Sequence, residues 1–276
     1  MGKRIACICG KPGRVQHTRM KFLRDNYLSH LDVYADDVPD LKKYDVVYFS
    51  HYSLAKKVKF GGAKLASVTS HKYDKKELGK FDRISVNNRL LLEELKEFSP
   101  VLTENGVDTK FWYYRQYRPD HYCCGWVGNK DRTAKRYPVW QQIRKRMEPY
   151  GFHFGEVATS KRGEQIYDDR AMLRFYHTTG IYVCTSMAEG TPNPALEAMS
   201  CGCWVVSPLV GNLADIPYSV SVKWSGDASC YEEVIALLAD GWVPGYTKYQ
   251  ARKYLERHWD WSIKYKAWDN FFKEWL

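Results

Sequence analysis

Two glutamates within one stretch of the chain have the spacing and surroundings needed to bind hydroxyl groups. Glu189 lies in a loop after a short apolar run, residues 181–184, and Glu197 lies early in the segment that follows Pro194. Carboxylates at such positions can accept hydrogen bonds from the hydroxyls of a sugar or a ribose. The alternative is structural, with Glu197 stabilising the positive end of a helix and Glu189 solvated.

The elements around these glutamates are those of a parallel α/β sheet. Residues 181–184 and 204–206 have the length and β-branched content of buried strands. Between them, Asn193 can cap a helix, Pro194 suits its first position, and Gly202 ends it. This strand–loop–helix–strand unit places its loops where such sheets bind ligands. The start of the helix is also a ready site for a phosphate or pyrophosphate.

Residues 189–216 resemble a known donor-site signature, that of the group-one (family four) retaining glycosyltransferases. The shared elements are two glutamates separated by seven residues, a following glycine and proline, Glu-Ala-Met, a small residue before Cys-Gly, and a Val-Val strand. The chain departs from the pattern at Trp204, where the family usually has proline. The resemblance implies a GT-B fold, in which two Rossmann-like α/β domains face a cleft. It also implies a nucleotide-sugar donor such as UDP-glucose and retention of anomeric configuration.

The same resemblance assigns roles to individual residues. Glu197 would bind the nucleotide ribose, and Glu189 would bind the sugar hydroxyls as part of the catalytic centre. The backbone groups around the sugar and phosphate would come from Gly190, Thr191, Pro192 and Asn193.

A second loop would supply cations for the departing diphosphate. A predicted strand, residues 122–127, ends at Gly128, a candidate donor-binding residue, and Arg132 and Lys135 follow it. In the resembling family this loop contributes an arginine and a lysine, with Lys130 a less suitable substitute here. The alternative is an ordinary basic surface loop. The sequence contains no Asp-x-Asp pair, so we expect neither a metal site nor a cofactor beyond the nucleotide sugar.

The first half of the chain offers two further candidates. The loop after the first strand, residues 10–13, lacks the full spacing of either phosphate-binding fingerprint. The resemblance nonetheless makes Gly13 a candidate donor contact. His71 matches the place where family members carry a histidine near the donor sugar, whereas His51 has no such support.

Charge is concentrated in this first half. Residues 1–120 hold 23 Lys and Arg against 15 Asp and Glu, whereas the remainder holds 19 against 17. A basic half suggests an anionic partner, although solubility alone could explain it. The densest basic segment reads as an amphipathic helix, and its candidate acceptor-binding residues are Arg14, Arg19, Lys21 and Arg24.

We predict an acceptor domain at residues 1–115, a donor domain at 116–245 and, at 246–276, a helix returning to the first domain. Aromatic residues at helical spacing in the tail favour core packing over a membrane-interface helix. No apolar run spans a membrane, no signal peptide opens the chain, and no Cys-x-x-Cys spacing occurs. These features predict a cytoplasmic protein, with peripheral membrane contact left open.

The acceptor is predicted from the basic first half. The preferred acceptor is DNA bearing hydroxymethylated bases, as in bacteriophage genome modification. An anionic lipid or envelope polysaccharide is the alternative. Two other classes remain: a non-catalytic nucleic-acid-binding protein on a GT-B shell and a sugar-nucleotide epimerase.

Overall fold

The chain forms two compact units in a computed structural model. The first unit consists of Met1–Asn105 with Lys264–Leu276, and the second of Gly106–Ile263. Each unit contains one parallel β-sheet with helices, which confirms the predicted α/β class with two Rossmann-like halves. The structure describes residues 4–12, 15–35, 37–115, 122–159, 168–241 and 245–276.

The observed boundaries between the units differ from the predicted boundaries, which lay after residues 115 and 245. Residues 106–115 belong to the second unit because the buried Arg252 guanidinium donates to the backbone carbonyl oxygens of Thr109 and Trp112. The Asp260 carboxylate also accepts hydrogen bonds from the N–H and hydroxyl of Thr109. Residues 246–263 belong to the second unit as well, so the first unit receives only the segment from Lys264.

The sheet of the first unit has six parallel strands in the order β2-β1-β3-β4-β5-β6. The strand β1 is buried along its whole length, as expected for a parallel sheet covered on both faces. The strands are β1 (Ile5–Cys9), β2 (Leu31–Ala35), β3 (Val46–Phe49), β4 (Ala63–Val68), β5 (Arg83–Val86) and β6 (Val101–Leu102).

Three helices of the first unit connect its strands. They are α1 (Val15–Asn26), α2 (Lys75–Leu78) and α3 (Arg89–Glu94). The amide oxygen of Asn88 caps α3 by accepting the N–H of Leu91 at 2.9 Å. Helix α1 packs through Met20 and Leu23, but Arg19 is buried with them. The basic face predicted for this segment is therefore smaller than the sequence suggested.

The second unit has five parallel strands in the order β11-β10-β9-β7-β8. Alternate residues of its central strands point into two cores: Tyr182 and Val205 enter one, and Val183 and Val206 enter the other. The strands are β7 (Cys123–Asn129), β8 (His153–Thr159), β9 (Ile181–Val183), β10 (Trp204–Ser207) and β11 (Val220–Ser221). The helices are α4 (Tyr137–Met147), α5 (Asp169–Thr178), α6 (Asn193–Cys201), α7 (Ser229–Ala239) and α8 (Lys248–His258).

The last helix, α9 (Trp261–Lys273), carries the aromatic tail predicted from the sequence. Trp268 and Phe272 are fully buried in the first unit, where their rings contact Tyr48 with centroids 6.3 and 5.1 Å away. Tyr265 stacks on Tyr27 at 4.4 Å. The tail is thus core packing rather than a surface stripe. Among the described residues, no helix is both long and apolar enough to cross a membrane.

Candidate active site

Two loops of the second unit meet at the carboxyl ends of β7 and β9, which are adjacent parallel strands. The indole N–H of Trp126 donates to the Thr185 hydroxyl at 3.0 Å, and that hydroxyl donates to the carbonyl oxygen of Lys135 at 2.7 Å. The Met187 N–H donates to the Ala134 carbonyl oxygen at 2.8 Å. These bonds fix the loop after β7 against the loop after β9, so residues distant in sequence share one site.

Lys135 and Glu189 form an ion pair where these loops meet. The Lys135 ammonium lies 2.5 Å from the Glu189 carboxylate, and the two side chains are only 14% and 10% exposed. The Ser186 hydroxyl donates to the same carboxylate oxygen at 2.6 Å. A cation suited to a diphosphate and a carboxylate suited to sugar hydroxyls are therefore already side by side.

The second glutamate, Glu197, lies on α6 and is partly buried. The Tyr176 hydroxyl donates to its carboxylate at 2.8 Å. Burial raises the pKa of Glu197 to about 7, while this hydrogen bond acts in the opposite direction. Tyr176 is completely buried on α5, and it could not be recognised from the sequence because a tyrosine at a core position usually indicates packing.

The start of α6 differs from the prediction. Pro192 occupies the capping position without a side-chain bond, and Asn193 is already helical, so the prediction that Asn193 caps the helix is wrong. The Asn193 N–H instead donates to the Thr191 carbonyl oxygen at 3.0 Å. The Thr191 hydroxyl donates to Asn212 at 2.7 Å, which brings in a residue of the loop after β10 that was not predicted.

Two glycines permit close approaches in this site. Gly211 has a φ of +52°, and a Cβ there would overlap the carbonyl oxygen of Gly190. At Gly128, a Cβ would lie 2.8 Å from the Trp126 ring and 3.3 Å from the Lys135 side chain. Both positions therefore need glycine for packing around the two loops.

Of the other cations near the β7 loop, none joins the ion pair. Arg132 and Lys130 are exposed, and neither forms an ion pair with another described residue. The Arg136 guanidinium lies over the Trp224 ring, 4.2 Å from its centre. The structure thus brings Lys135, but not Arg132, to Glu189.

This geometry coincides with a family match. Residues 138–240, a little over a third of the chain, match the family model for group 1 glycosyl transferases. The matched segment lies within the second unit, Gly106–Ile263. The matched segment contains Glu189 and Glu197, whereas Lys135 lies just before it.

Solved structures with the same fold span the whole chain. The lipopolysaccharide outer core galactosyltransferase WaaB is 13% identical, with a TM-score of 0.68 over 99% of this chain and 100% of that one. Sucrose-phosphate synthase from Thermosynechococcus elongatus is 13% identical, with a TM-score of 0.67 and 99% of both chains covered. Anabaena HepE, solved with UDP and glucose, is 10% identical, with a TM-score of 0.64 over 98% and 100%. No curated protein sequence matches the chain significantly.

In the first unit, His71 lies beside Glu94. Its Nδ1 is 2.9 Å from the Glu94 carboxylate, which also accepts a hydrogen bond from the Tyr73 hydroxyl at 3.2 Å. The donor role of His71 stays a prediction. Gly13, the other donor contact predicted in this half, lies outside the described residues.

The predicted acceptor-binding cations do not form one surface. Arg19 is only 6% exposed, donates to the Asn105 side chain at 2.8 Å and lies 4.8 Å from the centre of the Trp268 ring. Arg24 pairs with Asp25 at 2.6 Å, and Lys21 is exposed. Arg14 lies outside the described residues. Arg19 is therefore a structural residue beneath α9, which corrects its assignment as a polyanion contact.

No metal centre is evident in the part of the chain that the structure describes. There, no group of three or more His, Cys, Asp or Glu side chains could hold an ion. Independence of metal stays a prediction for the transfer reaction.

Proposed function

We propose that the chain transfers a hexose from a nucleotide sugar, with UDP-glucose as the preferred donor, to a hydroxyl acceptor. The observation that carries this proposal is the pair of carboxylates, Glu189 and Glu197, presented with Lys135 by loops of a group 1 glycosyltransferase domain. The HepE structure with UDP and glucose supports a UDP donor for this fold.

Each residue has a role in this reaction. Glu197 accepts hydrogen bonds from the ribose, and Glu189 accepts them from the sugar hydroxyls. Lys135 turns from Glu189 towards the diphosphate, with Arg132 as a second cation near the solvent. Backbone groups of residues 190–193 surround the sugar and phosphate at the positive end of α6.

Transfer breaks the bond between the sugar C1 and the diphosphate oxygen and forms a bond from C1 to the acceptor oxygen. As the bond to C1 breaks, negative charge develops on the diphosphate oxygen, and that oxygen takes the proton that the acceptor hydroxyl loses before UDP leaves. Lys135 stabilises that charge as it develops, which is the part of the reaction that a fixed cation accelerates most. The family resemblance favours retention of the anomeric configuration.

For the acceptor we propose DNA bearing hydroxymethylated bases, with an anionic lipid or polysaccharide as the alternative. The net charge of +10 supports a polyanionic acceptor. A non-catalytic shell would have no need of Lys135 together with Glu189 and Glu197.

The proposal is tested by incubating the protein with UDP-glucose, with and without hydroxymethylated duplex DNA, in excess EDTA. We expect UDP release and glucose on the DNA. Transfer to an anionic glycolipid but not to DNA would show that the lipid alternative, and not DNA, is the acceptor. Conversion of UDP-glucose into another nucleotide sugar would identify an epimerase. Absence of any turnover until a divalent metal is added would contradict catalysis by Lys135.

A further inference from the structure

A cationic pocket lies in the second unit, and neither Glu189 nor Glu197 lines it. Its volume is about 390 Å³, and it is open to solvent on one side. One wall is the face of α5 that carries Arg170, Leu173, Arg174 and His177. The other wall is formed by residues of the segment 110–115. The lining residues are Lys110, Phe111, Tyr113, Arg115, Arg170, Leu173, Arg174 and His177.

The charged side chains among the described lining residues of this pocket are all cations. Lys110, Arg115, Arg170 and Arg174 are exposed, and none of them forms an ion pair with another described residue. No acidic side chain lines the pocket among the residues that the structure describes. Cations left together in this way repel one another, so they favour an anionic ligand over an empty pocket.

Of the acids nearest in sequence, Asp108 and Asp168 accept hydrogen bonds from backbone groups, whereas Asp169, beside Arg170, is not a lining residue. Asp108 accepts the N–H groups of Lys110 and Phe111, each at 3.0 Å. Asp168 caps α5 by accepting the Ala171 N–H at 2.7 Å. These two carboxylates order the walls of the pocket, and neither of them lines it.

An aromatic ring is held at the edge of the same pocket. Tyr113 is 44% exposed, and its ring meets that of His177 edge-on with centroids 4.8 Å apart. His177 Nε2 lies 2.9 Å from the Tyr113 carbonyl oxygen. The preceding residue, Trp112, is anchored through its carbonyl oxygen to Arg252 and to the Ser200 hydroxyl. The tyrosine is thus presented on a fixed backbone.

We propose that this pocket binds a strand of nucleic acid, with phosphates on Arg170 and Arg174 and a base stacked on Tyr113. The two arginines are four residues apart, about 6 Å along the helix axis, so both can contact phosphates of one strand. Arginines beside an exposed aromatic ring are the combination that binds single strands.

The observations favour nucleic acid over a lipid surface. Tyr113 is the one strongly exposed large apolar side chain among the described pocket residues, and a membrane-binding face needs several. The site names a second contact for the DNA acceptor, so it rests on the proposed function. The polyanion contact is therefore proposed in the second unit and not on α1, where Arg19 is buried.

The test measures binding of a fluorescein-labelled single-stranded oligonucleotide by anisotropy over a range of salt concentrations. The variant Arg170→Glu/Arg174→Glu should bind at least about tenfold more weakly, and its salt slope should fall by about 1.4, or ~0.7 for each lost phosphate contact. Tyr113→Ala should weaken binding with little change in slope, because it removes stacking.

Matched controls separate the pocket from general charge. Lys56→Glu/Lys57→Glu makes the same charge change on exposed residues of the first unit, and Tyr150→Ala removes an exposed tyrosine of the second. Both controls should bind like the wild type. Equal weakening by the pocket variant and the lysine control would overturn the proposal, as would undiminished binding by the pocket variant.

Two further arms distinguish this inference from the proposed function. UDP-glucose binding should be unchanged in every variant, because none alters the two loops of the active site. A wild-type protein that binds UDP-glucose but not the oligonucleotide would end the inference and leave the transferase proposal standing. Pocket-dependent binding to phosphatidylglycerol vesicles without oligonucleotide binding would assign the pocket to a membrane surface instead.

Discussion

Glu197 combines partial burial with a hydrogen bond from Tyr176, and the two have opposite effects on its protonation. Burial raises the pKa of Glu197 to about 7, whereas the donated hydrogen bond stabilises the carboxylate. A ribose hydroxyl needs the carboxylate form as its acceptor. Near neutral pH, the protonation of one side chain should therefore control nucleotide affinity.

UDP-glucose affinity should consequently increase as the pH rises through 7. Tyr176→Phe removes the donor, so the pKa of Glu197 should rise further and the midpoint should move to higher pH. Glu197→Gln should bind weakly with no pH dependence between 6 and 8. Titration calorimetry across this range checks the profile; a flat wild-type curve, or an unchanged midpoint in Tyr176→Phe, would refute it.

Lys135 and Arg132 can be distinguished by their contribution to turnover. Since Lys135 is paired within the site and Arg132 is exposed, Lys135→Ala should lower kcat by about 100-fold, as for other residues that stabilise a developing charge. Arg132→Ala is the matched control and should lose much less. Equal losses in the two variants, measured by UDP release, would show that the exposed arginine acts equally in the reaction.

At this scale the sequence predicted the residues whose chemistry is specific and missed those that act through packing. Glu189 and Glu197 were noticed by residue type and position, whereas Lys135 and the roles of all three follow from the family resemblance and are still proposals. Tyr176 resembles any core aromatic residue in sequence. Arg19 was misplaced because an arginine on an amphipathic helix normally belongs to its polar face, whereas here it packs on Trp268.

At the scale of elements, the loop after β10 is held against the loop after β9 at Gly211. Gly211→Ala adds a Cβ that overlaps the Gly190 carbonyl oxygen at a φ of +52°, so it should destabilise the protein by about 1–3 kcal/mol and weaken UDP-glucose binding. Gly61→Ala is the control, because a Cβ there meets nothing within 4 Å. Thermal unfolding and calorimetry would measure both; a Gly211→Ala protein as stable as the control would show that the loops are not in this contact.

Arg252 joins three elements of the second unit. From α8 it donates to the carbonyl oxygens of Thr109, Trp112 and Ser200, the last at 3.0 Å near the end of α6. Arg252→Met should therefore lower stability by about 2–4 kcal/mol, since several buried acceptors lose a charged donor. Arg257→Met, on an exposed position of the same helix, should have little effect on the melting temperature. Similar melting temperatures for the two variants would rule out this role of Arg252.

Buried strands and well-marked helices were predictable from sequence because they carry continuous apolar runs or clear end signals. The runs at 181–184 and 204–206 became β9 and β10 with ends shifted by one residue. The edge strand β2 was not predicted, since only its first residue is fully buried and its sequence, LDVYA, is not a continuous apolar run. The cap of α6 was misassigned because Pro192 and Asn193 are both plausible residues before a helical proline.

For the whole molecule, the two-sheet organisation was predictable because each half of the chain carries its own set of strands. The boundaries were not, since the segment 106–115 is assigned by the bonds of Arg252 and Asp260, which lie about 150 residues later. Charge counts placed the polyanion contact in the first half. Two of the four cations assigned to that contact are engaged elsewhere, since Arg19 is buried and Arg24 is paired with Asp25.

The central claim is that the second unit binds a nucleotide sugar through Glu197. Calorimetric titration of the full chain with UDP-glucose at pH 8 tests this most directly, using Glu197→Ala and the control Glu233→Ala, which alters an exposed carboxylate of the same unit. We expect wild-type and Glu233→Ala proteins to bind alike and Glu197→Ala to bind at least about tenfold more weakly, the equivalent of ~1.4 kcal/mol. Wild-type affinity in a folded Glu197→Ala protein, or no UDP-glucose binding by the wild type, would contradict the claim.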